Sequence, residues 1–154
     1  MTVESRLAEL GVTLPSMAAA LGIYKPAIRV GDMVYVSGQL PTREGAVVHP
    51  GLLGADVSIE QGQEAAQVAA INALAAVQGL LGSLEGLRLV RTVGYVACTG
   101  EFDQHPQVVN GASGFLRDVF GEDLGVGARL ALGVASLPAR APVEIELWFE
   151  VSGS

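Results

Sequence analysis

The clearest candidate for chemistry in this 154-residue chain is an arginine set in an apolar, strand-like run, GARLALGVASLP at 127–138. A guanidinium keeps its charge at any ordinary pH, so leaving Arg129 buried and unpaired would be costly. It can reach solvent, pair with a carboxylate of the protein, or wait for a carboxylate from a ligand. The following strand supplies glutamates at 144, 146 and 150. Pairing of Arg129 with Glu144 or Glu146 is therefore one reading, and a solvated acidic row is another reading of the glutamates. The other polar residues read more simply by themselves. Ser37-Gly38-Gln39 is strand-ending turn chemistry, Tyr24 is an aromatic plug in a loop, and Asn110 is a helix residue.

The single cysteine, Cys98, excludes an internal disulfide and any multi-cysteine zinc site. It reads as a small buried hydrophobe. The two histidines lack metal-type spacing: His105 reads as a cap beside Pro106, and His49 as a residue of a solvated loop. No metal and no cofactor is expected. A net charge of -7 argues against a nucleic-acid backbone as partner.

Half of the residues are hydrophobic and only 16% are charged. No uninterrupted apolar run reaches the ~18 residues of a membrane span, and the early charges of MTVESRLAELG do not make a signal peptide. These features predict a cytoplasmic protein with no membrane partner. Its surplus of apolar surface would be covered at a subunit interface.

The elements that must hold these residues follow from local signals. TVESRLAELG predicts a short helix capped by Thr2 and stopped by Gly11. AIRVGDMVYVSG predicts a hairpin about Gly31-Asp32, and a loop follows with a short strand at Val47-Val48. SIEQ at 58–61 has capping-box spacing and opens a long alanine-rich helix. A strand through LRLVRTVGYVAC, a helix from Pro106 to about Phe120, and strands at about 128–137 and 142–151 complete the chain. The order ββ(β)αβαββ gives one α+β domain over 1–154, with residues 1–22 as a helical N-terminal extension and two helices on one face of a single mixed sheet.

Alternation then assigns faces. Val143, Ile145, Leu147, Phe149 and Val151 oppose Glu144, Glu146, Trp148 and Glu150. Placing the branched sets under the helices puts Leu130, Leu132 and Val134 inside. Arg129, Ala131, Gly133, Glu144 and Ser37 then fall on the uncovered face, where the small residues would admit another subunit. Any site would lie between subunits.

VYVSGQLP (34–41), VVNGASGFL (108–116) and GARLALGVASLP followed by PVEIE resemble, in their order and spacing, the RidA/YjgF-type enamine/imine deaminases, also described as L-PSP endoribonucleases. The resemblance runs from about Tyr24 to Val151. It implies a chorismate-mutase-like fold, a homotrimer with clefts between subunits, and cofactor-free hydrolysis of 2-imino acids to 2-keto acids and ammonia. By the same resemblance, Arg129 clamps the substrate carboxylate and Glu144 handles the attacking water. Tyr24, Ser37, Gly38, Gln39 and Asn110 line the cleft. The chain departs from the family pattern at Leu130, where serine is usual, and at Ala131, where the best-studied members have cysteine. The competing readings are a non-catalytic protein that binds a small carboxylate-bearing ligand and, with less support, an endoribonuclease.

Overall fold

The computed structural model describes residues 1–17 and 22–152. The part of the N-terminal extension at 18–21 lies outside them. Helix α1 (Val3–Glu9) opens with a reciprocal capping box in which Thr2 and Ser5 each accept from the other's backbone N–H. Gly11, at φ +72°, takes the left-handed turn beyond it. Strands β1 (Ala27–Val30) and β2 (Met33–Gln39) form the expected hairpin, with Gly31 at φ +60°. The following loop contains a second small hairpin, β3 (Thr42–Arg43) and β4 (Ala46–Val47), in place of one short strand at 47–48.

Helix α2 (Ile59–Leu81) starts at Ser58 with the expected capping box, and Gly82 ends it in the left-handed conformation. Its length and apolar composition would suit a membrane span. Here, however, Ala65, Ala66, Ala69, Ala70, Ala73, Leu74 and Val77 are buried in the core. Strand β5 (Leu87–Ala97) leads into α3 (His105–Leu124), where Gly121 at φ +88° interrupts the helix and one further turn runs to Leu124. Strands β6 (Ala128–Val134) and β7 (Val143–Val151) follow, joined by a single 3-10 turn over Pro138–Arg140.

The main sheet has the order β1-β2-β7-β5-β6. Only β5 and β6 run parallel, and α3 provides the crossover between them. Cα partners across neighbouring strands share a face, so the register can be read as rows. One row runs Ala27–Val36–Leu147–Thr92–Arg129. Its first four members are all less than a tenth exposed and lie on the face packed against the helices. Arg129 is thus the outermost member of the helix-side row.

This reverses the expected faces of β6. Leu130 and Leu132 pair with Val93 and Tyr95, which in turn pair with Glu146 and Glu144 on the face without helices. Leu130 is 47% exposed there. Arg129, Ala131 and Gly133 face the α3 side. The small residues make room for this chain's own helix. A Cβ on Gly94 would sit 2.4 Å from a Val109 methyl of α3, and one on Gly133 would sit 2.6 Å from His105 Nε2.

Candidate functional site

At the rim of the helix face, Arg129 Nη1 donates to Asn110 Oδ1 at 2.7 Å and to Ser113 Oγ at 3.3 Å. Asn110 and Ser113 are one helical turn apart on α3, so both project from the same side. Among the described residues Arg129 forms no ion pair. Two neutral groups thus orient the guanidinium while its charge stays uncompensated. Nε and Nη2, the side-on fork suited to a carboxylate, make no bond to the described chain. The pairing with Glu144 or Glu146 does not form.

The second group of expected residues lies on the other face. Between Val36 and Gln39 the register of β2 shifts, so that Ser37 and Gly38 together oppose Glu146 of β7. This bulge re-aims the strand end. A Cβ on Gly38 would lie 2.0 Å from Glu144 Oε2, so only glycine lets the carboxylate settle over the backbone here. Ser37 Oγ donates to the Lys25 carbonyl at 2.6 Å and its N–H to the Pro26 carbonyl at 2.8 Å, tying the loop that carries Tyr24 to the bulge. Gln39 Nε2 bonds back to the Ser37 carbonyl at 3.1 Å. The loop beyond is held by Asn72 of α2, whose amide donates to the carbonyls of Leu40 and Thr42.

Glu144 is half-buried and accepts no hydrogen bond from the described chain. Burial first, and the neighbouring Glu146 charge second, raise its pKa above the ordinary glutamate value. Glu146 is engaged: Tyr95 Oη donates to it at 3.0 Å and Trp148 Nε1 at 3.3 Å. Trp148 also meets Tyr35 edge-on, with the Arg91 guanidinium 5.3 Å from its ring centroid. A mixed aromatic, charged and aliphatic surface therefore surrounds Glu144 on the face without helices.

The expected site residues thus form two sets. Arg129 and Asn110 meet at one sheet edge, joined by Ser113, which sequence reasoning missed although its spacing from Asn110 places it on the same helix side. Glu144, Ser37 and Gly38, with the Tyr24 loop tied on, assemble on the opposite face, whereas Gln39, whose Cα partner is the buried Ile145, falls on the helix face. His49 lies in a partly exposed loop as expected, whereas His105 is not the cap. Gln104 occupies the N-cap of α3, and His105 instead places Nε2 3.4 Å from Cys98 Sγ. His49 lies 2.7 Å from Glu64 Oε2 and holds that carboxyl below its usual range. Cys98 is only partly buried, and desolvation raises its thiol pKa. A cavity of about 660 Å³ lies between α1, residues 11–14 and the end of α2, and shares no lining residue with either set.

A mixed five-stranded sheet with helices on one face, a lone oriented arginine at its edge and a desolvated glutamate on its open face defines a class of small α+β proteins with polar sites at the sheet surface. Comparison places the chain more narrowly. Residues 4–150 match the family described as "YjgF/chorismate mutase-like, putative endoribonuclease", and the chain belongs to this family. It is 36% identical over 151 residues to Protein TCP17 of Trypanosoma cruzi, covering 97% of this chain and 94% of that one. The Agrobacterium tumefaciens protein Atu1372, of unknown function, has 42% identity and a TM-score of 0.89, with 99% of this chain and 93% of that chain covered. A Shewanella oneidensis protein described as a putative endoribonuclease has 34% identity and a TM-score of 0.94, with 98% and 100% covered.

Proposed function

We propose that the protein hydrolyses small 2-imino acids, or their enamine tautomers, to 2-keto acids and ammonia. In this reading the site is shared between subunits of a homotrimer. The observation that carries it is the separation of two complementary groups: an oriented arginine without a counter-ion on one face, and a desolvated glutamate without a hydrogen-bond donor on the other. A sheet with its side chains is ~10 Å through, so one chain cannot bring both groups onto one small substrate. A second copy, set with its Glu144 face toward the Arg129 edge of the first, would do so. Repeating that head-to-tail contact closes a ring, and it also covers Leu130 and the exposed aromatic surface.

The chemistry asks little of the protein. Arg129 holds the substrate carboxylate through Nε and Nη2 and places C2 of the imine in reach of a water. Glu144 accepts a proton from that water as its oxygen bonds to C2, and the C=N π electrons move to nitrogen. Protonated Glu144 then returns the proton to nitrogen, giving the 2-amino-2-hydroxy acid. Glu144 next takes the hydroxyl proton and passes it to the amino nitrogen as the C–N bond breaks, so that the keto group forms and ammonia leaves. A carboxyl with a raised pKa suits both directions of this transfer near neutral pH. Neither step uses a thiol, so Ala131 at the family's cysteine position is compatible with turnover.

The test is keto-acid release from 2-iminobutanoate generated in situ by an amino-acid oxidase. Wild type should exceed the spontaneous rate, Glu144→Gln should return close to it, and Arg129→Ala should fall toward it at substrate concentrations below its raised KM. Binding of 2-oxobutanoate with no acceleration would instead select a binding protein. A nuclease would need a basic path for a phosphate backbone, whereas 16 acidic residues outnumber 9 lysines and arginines here. Salt-sensitive RNA cleavage that disappears in Arg129→Ala would favour that activity over the deaminase.

A further inference from the structure

Beside Arg129 lies a cavity of about 180 Å³, lined by Leu89, Thr92, Ser113, Val126 and Arg129 with the backbone of Gly125 and Gly127. Among the described residues Thr92 is the only buried polar one, at 2% exposure. Its Cα partner in the register is Arg129 itself, so the two side chains stand next to each other on the helix face. The Thr92 hydroxyl makes no hydrogen bond with the described chain. Yet no buried side-chain oxygen or nitrogen among the described residues is sealed off without a partner. The small exposure that Thr92 retains must therefore include its hydroxyl, and the cavity is what it opens onto. A strand position between Leu147 and Arg129, in a row otherwise filled by Ala27, Val36 and Leu147, would ordinarily take valine. Threonine fills the same volume and adds one hydrogen-bonding group.

The glycines keep this space open. A Cβ on Gly127 would lie 2.7 Å from the carbonyl oxygens of Leu89 and Val90, and one on Gly125 would lie 2.5 Å from the Leu116 carbonyl. The loop can follow this tight path only without side chains there. At ~30 Å³ per water, the volume holds roughly six water-sized groups. That is room for a short side chain.

We infer that this cavity receives the side chain of the substrate whose carboxylate Arg129 holds, and that Thr92 selects short chains ending in a hydroxyl over their methyl-ended isosteres. The inference rests on the carboxylate-clamp reading of Arg129. Leu89 and Val126 form the apolar walls along the chain, and Thr92 meets its polar end. An apolar end of equal size would leave that hydroxyl without a partner, which is the more costly outcome in a buried site.

Two stable product analogues of equal heavy-atom count separate the possibilities: 2-oxo-4-hydroxybutanoate and 2-oxopentanoate. Titration calorimetry on the full-length protein should show about tenfold tighter binding of the hydroxylated acid. Thr92→Val should remove this preference while 2-oxopentanoate binds as before, which also reports an intact fold. Thr92→Ser should restore most of the preference. A wild type that binds both acids equally, or a preference that survives in Thr92→Val, overturns the role of Thr92. If Arg129→Ala binds both acids as tightly as wild type, or if wild type binds neither, the clamp reading falls and the assignment of the cavity falls with it.

Discussion

The two charged groups of the candidate site are handled in opposite ways. Arg129 is exposed and fixed by two neutral oxygens that orient it without cancelling its charge. Glu144 is half-buried, has a second carboxylate as its electrostatic neighbour, and lies over a glycine instead of a donor. In a self-contained structural ion pair the two would have met. Keeping them on opposite faces leaves each side with unmet electrostatic demand, which suits a site completed by a ligand and by another copy of the chain. In the proposed reaction the contrast also divides the labour: one side would bind, and the other would move protons.

Removing the proton carrier should have the largest effect. Glu144→Gln is expected to lower kcat by about 10²–10⁴-fold with little change in KM, as for loss of a general base, measured on 2-iminobutanoate. The same variant should be more stable than wild type at neutral pH. The folded state raises the Glu144 pKa, so protonated Glu144 is favoured by folding, and that advantage is lost as pH rises through its folded-state pKa. Thermal melts of wild type should therefore decline relative to Glu144→Gln as pH increases above the ordinary glutamate range, while wild-type kcat rises over the same interval. Parallel melting curves for the two proteins at every pH would remove the desolvated-base side of the contrast.

On the binding side, Arg129→Ala should raise KM by roughly 10–150-fold, the equivalent of ~1.5–3 kcal/mol for hydrogen bonds to a charged group. kcat should change less. Equal losses in kcat and KM would show that the two faces do not divide the work. Gly94→Ala tests what sets the height of α3 above the sheet. Its Cβ would press on Val109, and a loss of about 1–3 kcal/mol in denaturant unfolding is expected. Asn110→Ala should act most gently. It removes one oxygen from Arg129 Nη1, so KM should rise about fivefold for one hydrogen bond, while Asn110→Asp should tighten the guanidinium and weaken carboxylate binding by charge competition. A fully active Asn110→Ala would leave Ser113 as the group that orients the arginine.

Much of the frame was legible in advance because local signals fixed it. Thr2, Gly11, Ser58 and the Gly31-Asp32 turn act through their immediate neighbours, and all four stand where the spacing placed them. The motifs around Asn110, Arg129 and Glu144 identified these residues, and two of them do touch. The faces of β6 were misread for a physical reason. Alternation gives two sets but carries no label for inside and outside, and a one-residue choice exchanges them. Leu130 and Leu132 look like core, but on this edge strand they lie on the face without helices. Ala131 and Gly133, taken as space for a partner, instead accommodate α3. Ser113 and Thr92 escaped notice because a single hydroxyl has no spacing pattern, and its meaning comes only from the strand or helix beside it. His105 was read as a cap from its place beside Pro106, although the nearest polarisable group, Cys98, comes from the end of another strand.

Arg129 also ends a row of otherwise apolar or uncharged side chains at the last strand of the sheet. An edge strand presents unpaired backbone donors and acceptors that can recruit a strand from a neighbouring molecule, and a fixed charge pointing in from such an edge discourages this. The opposite edge, β1, carries Arg29, anchored to the Gly31 carbonyl at 2.9 Å. Each end of the sheet thus carries a guanidinium, and the one at β6 would oppose edge-to-edge pairing as well as hold a ligand in the proposed reaction. On this reading, neutralising Arg129 would remove a recognition group and a barrier to aggregation in a single step, so Arg129→Lys, which retains the charge and loses the fork, separates the two roles.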